Sequence, residues 1–148
     1  MIKKILVPTD GSKHAEKATA YALDIAAKYK AKLYLIHVVS EPKVPEGFMK
    51  FVRDEHVAES PAYLYLQTMG QKILGKAEEE VKVGGLKEVR SVAVEGDPAE
   101  RIIEFAKEND IDMIIMGSRG LGSVQGLLLG SVSSKVCHAA DCTCVTVK

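Results

Sequence analysis

The run Ile111-Asp112-Met113-Ile114-Ile115-Met116-Gly117-Ser118-Arg119-Gly120-Leu121-Gly122-Ser123-Val124-Gln125-Gly126-Leu127-Leu128-Leu129-Gly130-Ser131 joins a short apolar stretch to a glycine-rich one. Ile111 to Met116 has the length and composition of a buried strand. Gly130-Ser131-Val132-Ser133 can open a helix with Ser131 as its cap. Strand, glycine-rich connection and helix start, in that order, form a cradle for phosphate. Glycines let the backbone approach an anion closely, and the free N–H groups of a helix start face it with the favourable end of the dipole. Two familiar phosphate loops are excluded. A Walker A loop needs Gly-Lys-Ser/Thr, and no lysine lies between Gly117 and Ser134. A dinucleotide fingerprint starting at Gly120 and Gly122 needs a third glycine where Gln125 stands, and it belongs after a first strand.

Outward from this run, the chain alternates strand and helix patterns. Ile2 to Val7 reads as a first strand and Pro8-Thr9-Asp10-Gly11-Ser12 as a tight turn. Ala15, Ala18, Ala22, Ile25 and Ala26 give a helix from Ser12 to about Tyr29, and Lys32 to Val39 a second strand. Ser40 to Ser60 reads as irregular, broken by Pro42, Pro45 and Gly47. Phe48, Phe51 and Val52 can share one side of a short turn there, as a lid, a partner contact or local packing. A long helix follows from Pro61 to about Val83, with Leu64, Ile73, Leu74, Ala77 and Val81 inward, stopped by Gly84-Gly85. Val89 to Val94 alternates as a third strand, and Asp97 caps a helix with Pro98 in its first turn. After the fourth strand and the glycine-rich run comes a helix from Ser131 to about Ala140, then a short strand from Thr143 to Val147. Five such units predict one domain over residues 1–148: an open, five-stranded, mostly parallel α/β sheet with helices on both faces.

Asp10 then lies just past the carboxyl end of the first strand, where open parallel sheets place ligands. A carboxylate there can take both hydroxyls of a ribose or help hold a cation; equally, it can be a turn aspartate capping the helix.

Composition narrows the function classes. Twenty basic residues balance twenty acidic ones, which argues against nucleic acid or an anionic membrane as main partner. Trp is absent, and three Phe with five Tyr offer no evident stacking platform for bases. No apolar run approaches a membrane span or a signal peptide. Three cysteines without a framework predict a cytoplasmic setting.

The spacing Gly117-x2-Gly120-x9-Gly130-Ser131 resembles the ATP-binding signature of the universal stress protein family without a mismatch. Val7-Pro8-Thr9-Asp10-Gly11-Ser12 is similar to that family's first-strand motif, and His37-Val38 to its second-strand end. The likeness spans nearly the whole chain. It implies a Rossmann-like fold, akin to adenine-nucleotide α-hydrolases, with strand order 3-2-1-4-5. Asp10 and Gly117 would then border one crevice at the switch point. It also implies ATP, or another adenine nucleotide, with Mg²⁺ or Mn²⁺ bridging its phosphates. Asp10 would meet the ribose, with Pro8 and Thr9 beside it in the binding site, and Val38 the adenine through its backbone. Met116, Gly117 and Arg119 would line the crevice, with phosphates on the amides of Gly120, Gly130, Ser131 and Val132 and the hydroxyls of Ser131 and Ser133 assisting. The resemblance further implies a homodimer through the final strand, with Val145 and Val147 near its centre, acting as a nucleotide-dependent sensor or regulator in stress response. Family members often carry a proline before that strand, where this chain has Cys142-Thr143.

Catalytic residues are not assigned, because no paired carboxylates and no Ser-His-Asp set stand out. His14 reads as a solvated helix residue close to the phosphates, His37 as packed or backbone-bonded, and His56 as a loop residue without a partner. Arg119 is either the one charge near the phosphates or a solvated loop-tip residue. Cys137, His138, Cys142 and Cys144 have poor spacing for zinc, and the cysteines read as buried small hydrophobes. Two other classes stay open. One is an interaction module of the same fold without nucleotide; the other is a slow hydrolase or transferase, whose Ser-Gly-Gly-x-Asp-Ser or His-x-Gly-His signature is absent here.

Overall fold

The computed structural model describes residues 1–40, 44–122 and 129–148. Pro42 and the part of the glycine-rich run from 123 to 128 lie outside the described residues. The elements are β1 (Lys4–Pro8), α1 (Lys13–Tyr29), β2 (Lys32–Val39), α2 (Glu46–Asp54), α3 (Pro61–Val83), β3 (Val89–Glu95), α4 (Pro98–Glu108), β4 (Met113–Gly117), α5 (Ser131–Ala139) and β5 (Thr143–Val147). They build one sheet in the order β3-β2-β1-β4-β5. Every adjacent pair is parallel, so the sheet is wholly, not mostly, parallel.

Side chains alternate across the sheet, which sorts them into two cores. Ile5, Val7, Leu33, Leu35 and Ile115 face α1 and α3, meeting Ala18, Ala22, Leu74, Ala77 and Val81. Leu6, Tyr34, Ile36, Ile114 and Met116 face the other way, against Ala99, Ile102, Ala106 and Val136 of α4 and α5. The alanine stripe of α1 lets that helix lie close to the strands. Its start is fixed by Ser12, whose hydroxyl accepts the Ala15 N–H at 3.2 Å. Asp97 caps α4 through the Glu100 N–H at 3.0 Å, as its sequence pattern predicts.

Three local readings differ. The 40–60 segment contains a helix, α2, because Pro45 stands at its N-cap, outside the interior where a proline would break it. Val52 is buried there and the Phe48 ring meets Tyr65 edge-on at 5.6 Å, so local packing accounts for these two, whereas Phe51 is exposed. On α3, Leu74, Ala77 and Val81 are buried, but Leu66 and Gly70 take the places expected of Leu64 and Ile73. Gly70 is required by closeness: a Cβ would sit 2.5 Å from that of Ala93 on β3. The first strand begins at Lys4, two residues later than expected.

One contact anchors β1 beside β4. The Asp112 carboxylate accepts the N–H groups of Lys3 at 2.7 Å and Lys4 at 2.9 Å. These two bonds favour the ionised form and hold its pKa below the ordinary value. A depressed carboxylate pKa contributes stability above the unfolded value, about 3.9, and that stability is lost as pH falls through the folded value. Asp112→Asn is therefore expected to lower the thermal midpoint at pH 7, with the gap to wild type closing below about pH 4. A gap that stayed constant down to pH 2 would contradict this role.

Candidate functional site

The order β3-β2-β1-β4-β5 reverses direction at β1, so the loops after β1 and β4 leave the sheet on opposite sides and open a crevice between them. A cleft of about 960 Å³ occupies this place. Pro8, Thr9, Asp10, Val38, Met116, Gly117, Arg119, Gly120, Gly130, Ser131, Val132 and Ser133 all line it. His37 lines it beside Val38, and Ser40, Ile73, Asp97, Pro98 and Ile102 line it as well, beyond the residues the sequence assigns to the site. The carboxyl-end position of Gly96-Asp97-Pro98 after β3 was the available signal, read only as a helix cap.

The turn carrying Asp10 is tied to β2. Thr9 donates its N–H to the Ile36 carbonyl at 2.9 Å, and the buried His37 ring bonds through Nδ1 to the Thr9 carbonyl at 2.8 Å. His37 is thus backbone-bonded, with Nδ1 as the donor. The Asp10 carboxylate in turn accepts Ser12 N–H on Oδ1 at 2.9 Å and Leu121 N–H on Oδ2 at 3.0 Å. Asp10 therefore braces the turn, while the cap of α1 falls to Ser12, and Asp10 also lines the cleft. Each oxygen keeps a lone pair for a further donor. A Cβ at Gly120 would lie 2.6 Å from Oδ2, so only glycine allows this approach.

The opposite wall is the start of α5. Gly130, not Ser131, is its N-cap, and no side chain caps it. The Gly130 N–H already donates to the Ser118 carbonyl at 2.6 Å, so this amide is committed and unavailable to a phosphate. The amides of Ser131, Val132 and Ser133 belong to the first turn and have no carbonyl behind them inside the helix. The Ser133 hydroxyl is also engaged, with the carbonyls of Ser118 at 2.9 Å and Gly130 at 3.1 Å. Its single proton thus serves the backbone, whereas Ser131 is exposed on the rim.

Charge is sparse. Asp10, Asp97 and Arg119 are the ionic side chains among the described lining residues, and Lys135 pairs with Asp97 at 3.9 Å. His14 does not line the cleft; its Nδ1 lies 3.4 Å from the Ser118 hydroxyl. His56 is exposed, with Nδ1 3.0 Å from the Asp54 carbonyl. Among the described residues no group of His, Cys, Asp and Glu has the geometry of a metal site, and no helix is long and apolar enough to cross a membrane. Cys142 and Cys144 pack beside the second core, where burial pushes the Cys144 thiol up to about 12.

Chemically, the arrangement offers backbone donors and a helix dipole on one wall, a carboxylate on the other, and an apolar floor from Ile36, Val38 and Met116. That combination suits a ligand with an anionic end, hydroxyls and a flat apolar part.

Comparison with known proteins places this geometry in context. The sequence model of the universal stress protein family matches residues 1–148. Universal stress protein MJ0531 of Methanocaldococcus jannaschii is 34% identical over 152 aligned positions, covering 100% of this chain and 83% of that protein. The solved structure of MJ0577, from the same organism, superposes with a TM-score of 0.79 at 28% identity, covering 100% of this chain and 96% of the other. A universal stress protein solved in complex with cAMP superposes with a TM-score of 0.68 at 25% identity, covering 99% and 96% of the two chains.

Proposed function

This chain belongs to the universal stress protein family, and from that premise we propose that it binds an adenine nucleotide in the cleft between β1 and β4. The observation that carries the reading is the facing pair of walls: Asp10 on one side, the uncapped first turn of α5 on the other. Phosphates rest on the amides of Ser131, Val132 and Ser133; Asp10 takes the ribose hydroxyls; the backbone at Val38 meets the base. The relative solved with cAMP supports an adenine ligand. We take ATP as the ligand, accompanied by Mg²⁺ or Mn²⁺. Among the described lining residues the carboxylates open to a cation are those of Asp10 and Asp97, so phosphate oxygens and water would supply most of its shell.

The role that follows is occupancy sensing by a cytoplasmic regulator, in which bound nucleotide selects one state of the cradle. Titration calorimetry with ATP and Mg²⁺ tests the binding. Absence of both heat and thermal shift at millimolar nucleotide would leave an interaction module of the same fold. Asp10→Ala is expected to weaken binding by about 1–3 kcal/mol, the scale of a charge-assisted hydrogen bond. An unchanged affinity would remove Asp10 from the ribose contact and leave it only its brace on Ser12 and Leu121.

We also propose a homodimer through β5. This strand pairs with β4 on one side and forms an outer edge of the sheet on the other. Cys142-Thr143-Cys144-Val145-Thr146-Val147 contains no charge or proline to discourage a partner strand. An antiparallel pairing about a two-fold axis would be self-complementary. Thr143, Val145 and Val147 turn their N–H groups toward β4, so Thr146→Pro is the change that removes an outward-facing donor, and it should shift sedimentation equilibrium at micromolar protein toward monomer. A monomeric wild type would refute the dimer, and an unaffected variant would place its interface elsewhere.

A further inference from the structure

Ser118 stands where the cleft and the edge of the sheet meet. It is 1% exposed and lies between two cleft-lining residues, Gly117 and Arg119. Its N–H donates to the Val147 carbonyl at 2.7 Å, carrying the β4–β5 pairing one step past Gly117 and Val147. Its carbonyl accepts the Gly130 N–H at 2.6 Å and the Ser133 hydroxyl at 2.9 Å. Amide and carbonyl of one buried residue thus clasp the end of β5 and the opening turn of α5. Water cannot replace either bond at this burial, so opening one leaves a polar group without a partner. A shift of Ser118 that lengthens one clasp also strains the other.

We propose that Ser118 couples occupancy of the cleft to the order of β5. An anion seated on the first-turn amides of α5 tightens the Gly130–Ser133 clasp and, through Ser118, holds the end of β5 in the sheet. Linkage makes the effect reciprocal: whatever holds β5 in place raises the affinity of the cleft for its ligand. The ligand half rests on the nucleotide reading above, whereas the clasp itself does not.

Amide hydrogen exchange on the full chain tests both halves. Ser133→Ala removes one donor of the clasp and is expected to speed exchange at Ser118 and across β5 by about fivefold or more. Exchange in β3, at the opposite edge, should stay as in wild type, and Ser133→Thr, which keeps the hydroxyl, should restore protection at Ser118 and β5. Equal acceleration in β3 and β5 would mean a general loss of stability and overturn the proposal, as would no acceleration at all. In wild type, saturating ATP with Mg²⁺ should slow exchange at Ser118 and β5 by a similar factor. Binding heat without that slowing would overturn the coupling. If calorimetry detects no binding, the nucleotide reading falls, and the Ser133→Ala result alone decides the clasp.

Discussion

Gly117→Ala is expected to destabilise the fold by about 3 kcal/mol, at the upper end of the range for overpacking. A Cβ at this position would lie 2.8 Å from both the carbonyl carbon and the Cβ of His14, and 3.0 Å from the Ala15 nitrogen. These are atoms of the first turn of α1, mostly backbone, so no rotamer change relieves the contact. Either α1 lifts from the sheet or β4 sinks at its carboxyl end. Both movements widen the crevice between Asp10 and Gly130 and should weaken nucleotide binding beyond the loss of stability. Chemical denaturation measures the first effect and calorimetry at a temperature where the variant stays folded measures the second. An alanine variant as stable as wild type would show that the close approach of α1 to β4 is not a constraint on the fold.

Gly130→Val should abolish nucleotide binding while costing the fold less. Gly130 has an ordinary helix-entry backbone, with φ −71° and ψ 166°, so a side chain is conformationally allowed there. A Cβ would approach the Arg119 Cα and the Ser118 oxygen at 3.4 Å, tight but within reach of a small adjustment. The two further methyl groups of valine have no room on that side and must turn toward the cleft that Gly130 lines. They would then occupy the space in front of the α5 amides, where a phosphate must come within hydrogen-bond distance. Calorimetry with ATP and Mg²⁺ should show no heat at millimolar ligand, while circular dichroism shows a folded chain. Wild-type affinity in this variant would mean that the phosphates lie elsewhere.

The two glycines separate what kind of information each position carries. Gly130 was legible as part of a spaced glycine signature at a helix start, a pattern contained in neighbouring residues. Gly117 belongs to the same signature, but the reason for it is the backbone of His14 and Ala15, about a hundred positions away. Gly70 went unexplained in the sequence for the same reason, since its partner, Ala93, sits on another element. The helix α2 is hidden in the sequence because Pro45 and Gly47 read as breakers, whereas Pro45 stands at the N-cap and Gly47 in the first turn, where a helix tolerates them. The amide of Gly130 was expected to bind phosphate, yet it is committed to Ser118, a pairing that only the closed loop creates.

The sequence by itself determined the order of the five strands and of the helices other than α2, the cap at Asp97, and the placement of Asp10 and the glycine-rich run at the carboxyl ends of strands. Those features follow from local rules: apolar alternation, helical spacing, and side chains that bond to amides two or three residues on. Only the tertiary structure decided that Asp10 receives the N–H of Leu121, 111 positions later, that Gly130 and Ser133 are clasped to Ser118, and that Ser118 also holds Val147. Such contacts form when β1 and β4 come to lie side by side at the reversal of the sheet. Their geometry is set by how closely the alanine face of α1 and the start of α5 pack against those strands, a property of the assembled sheet and helices that no single segment contains.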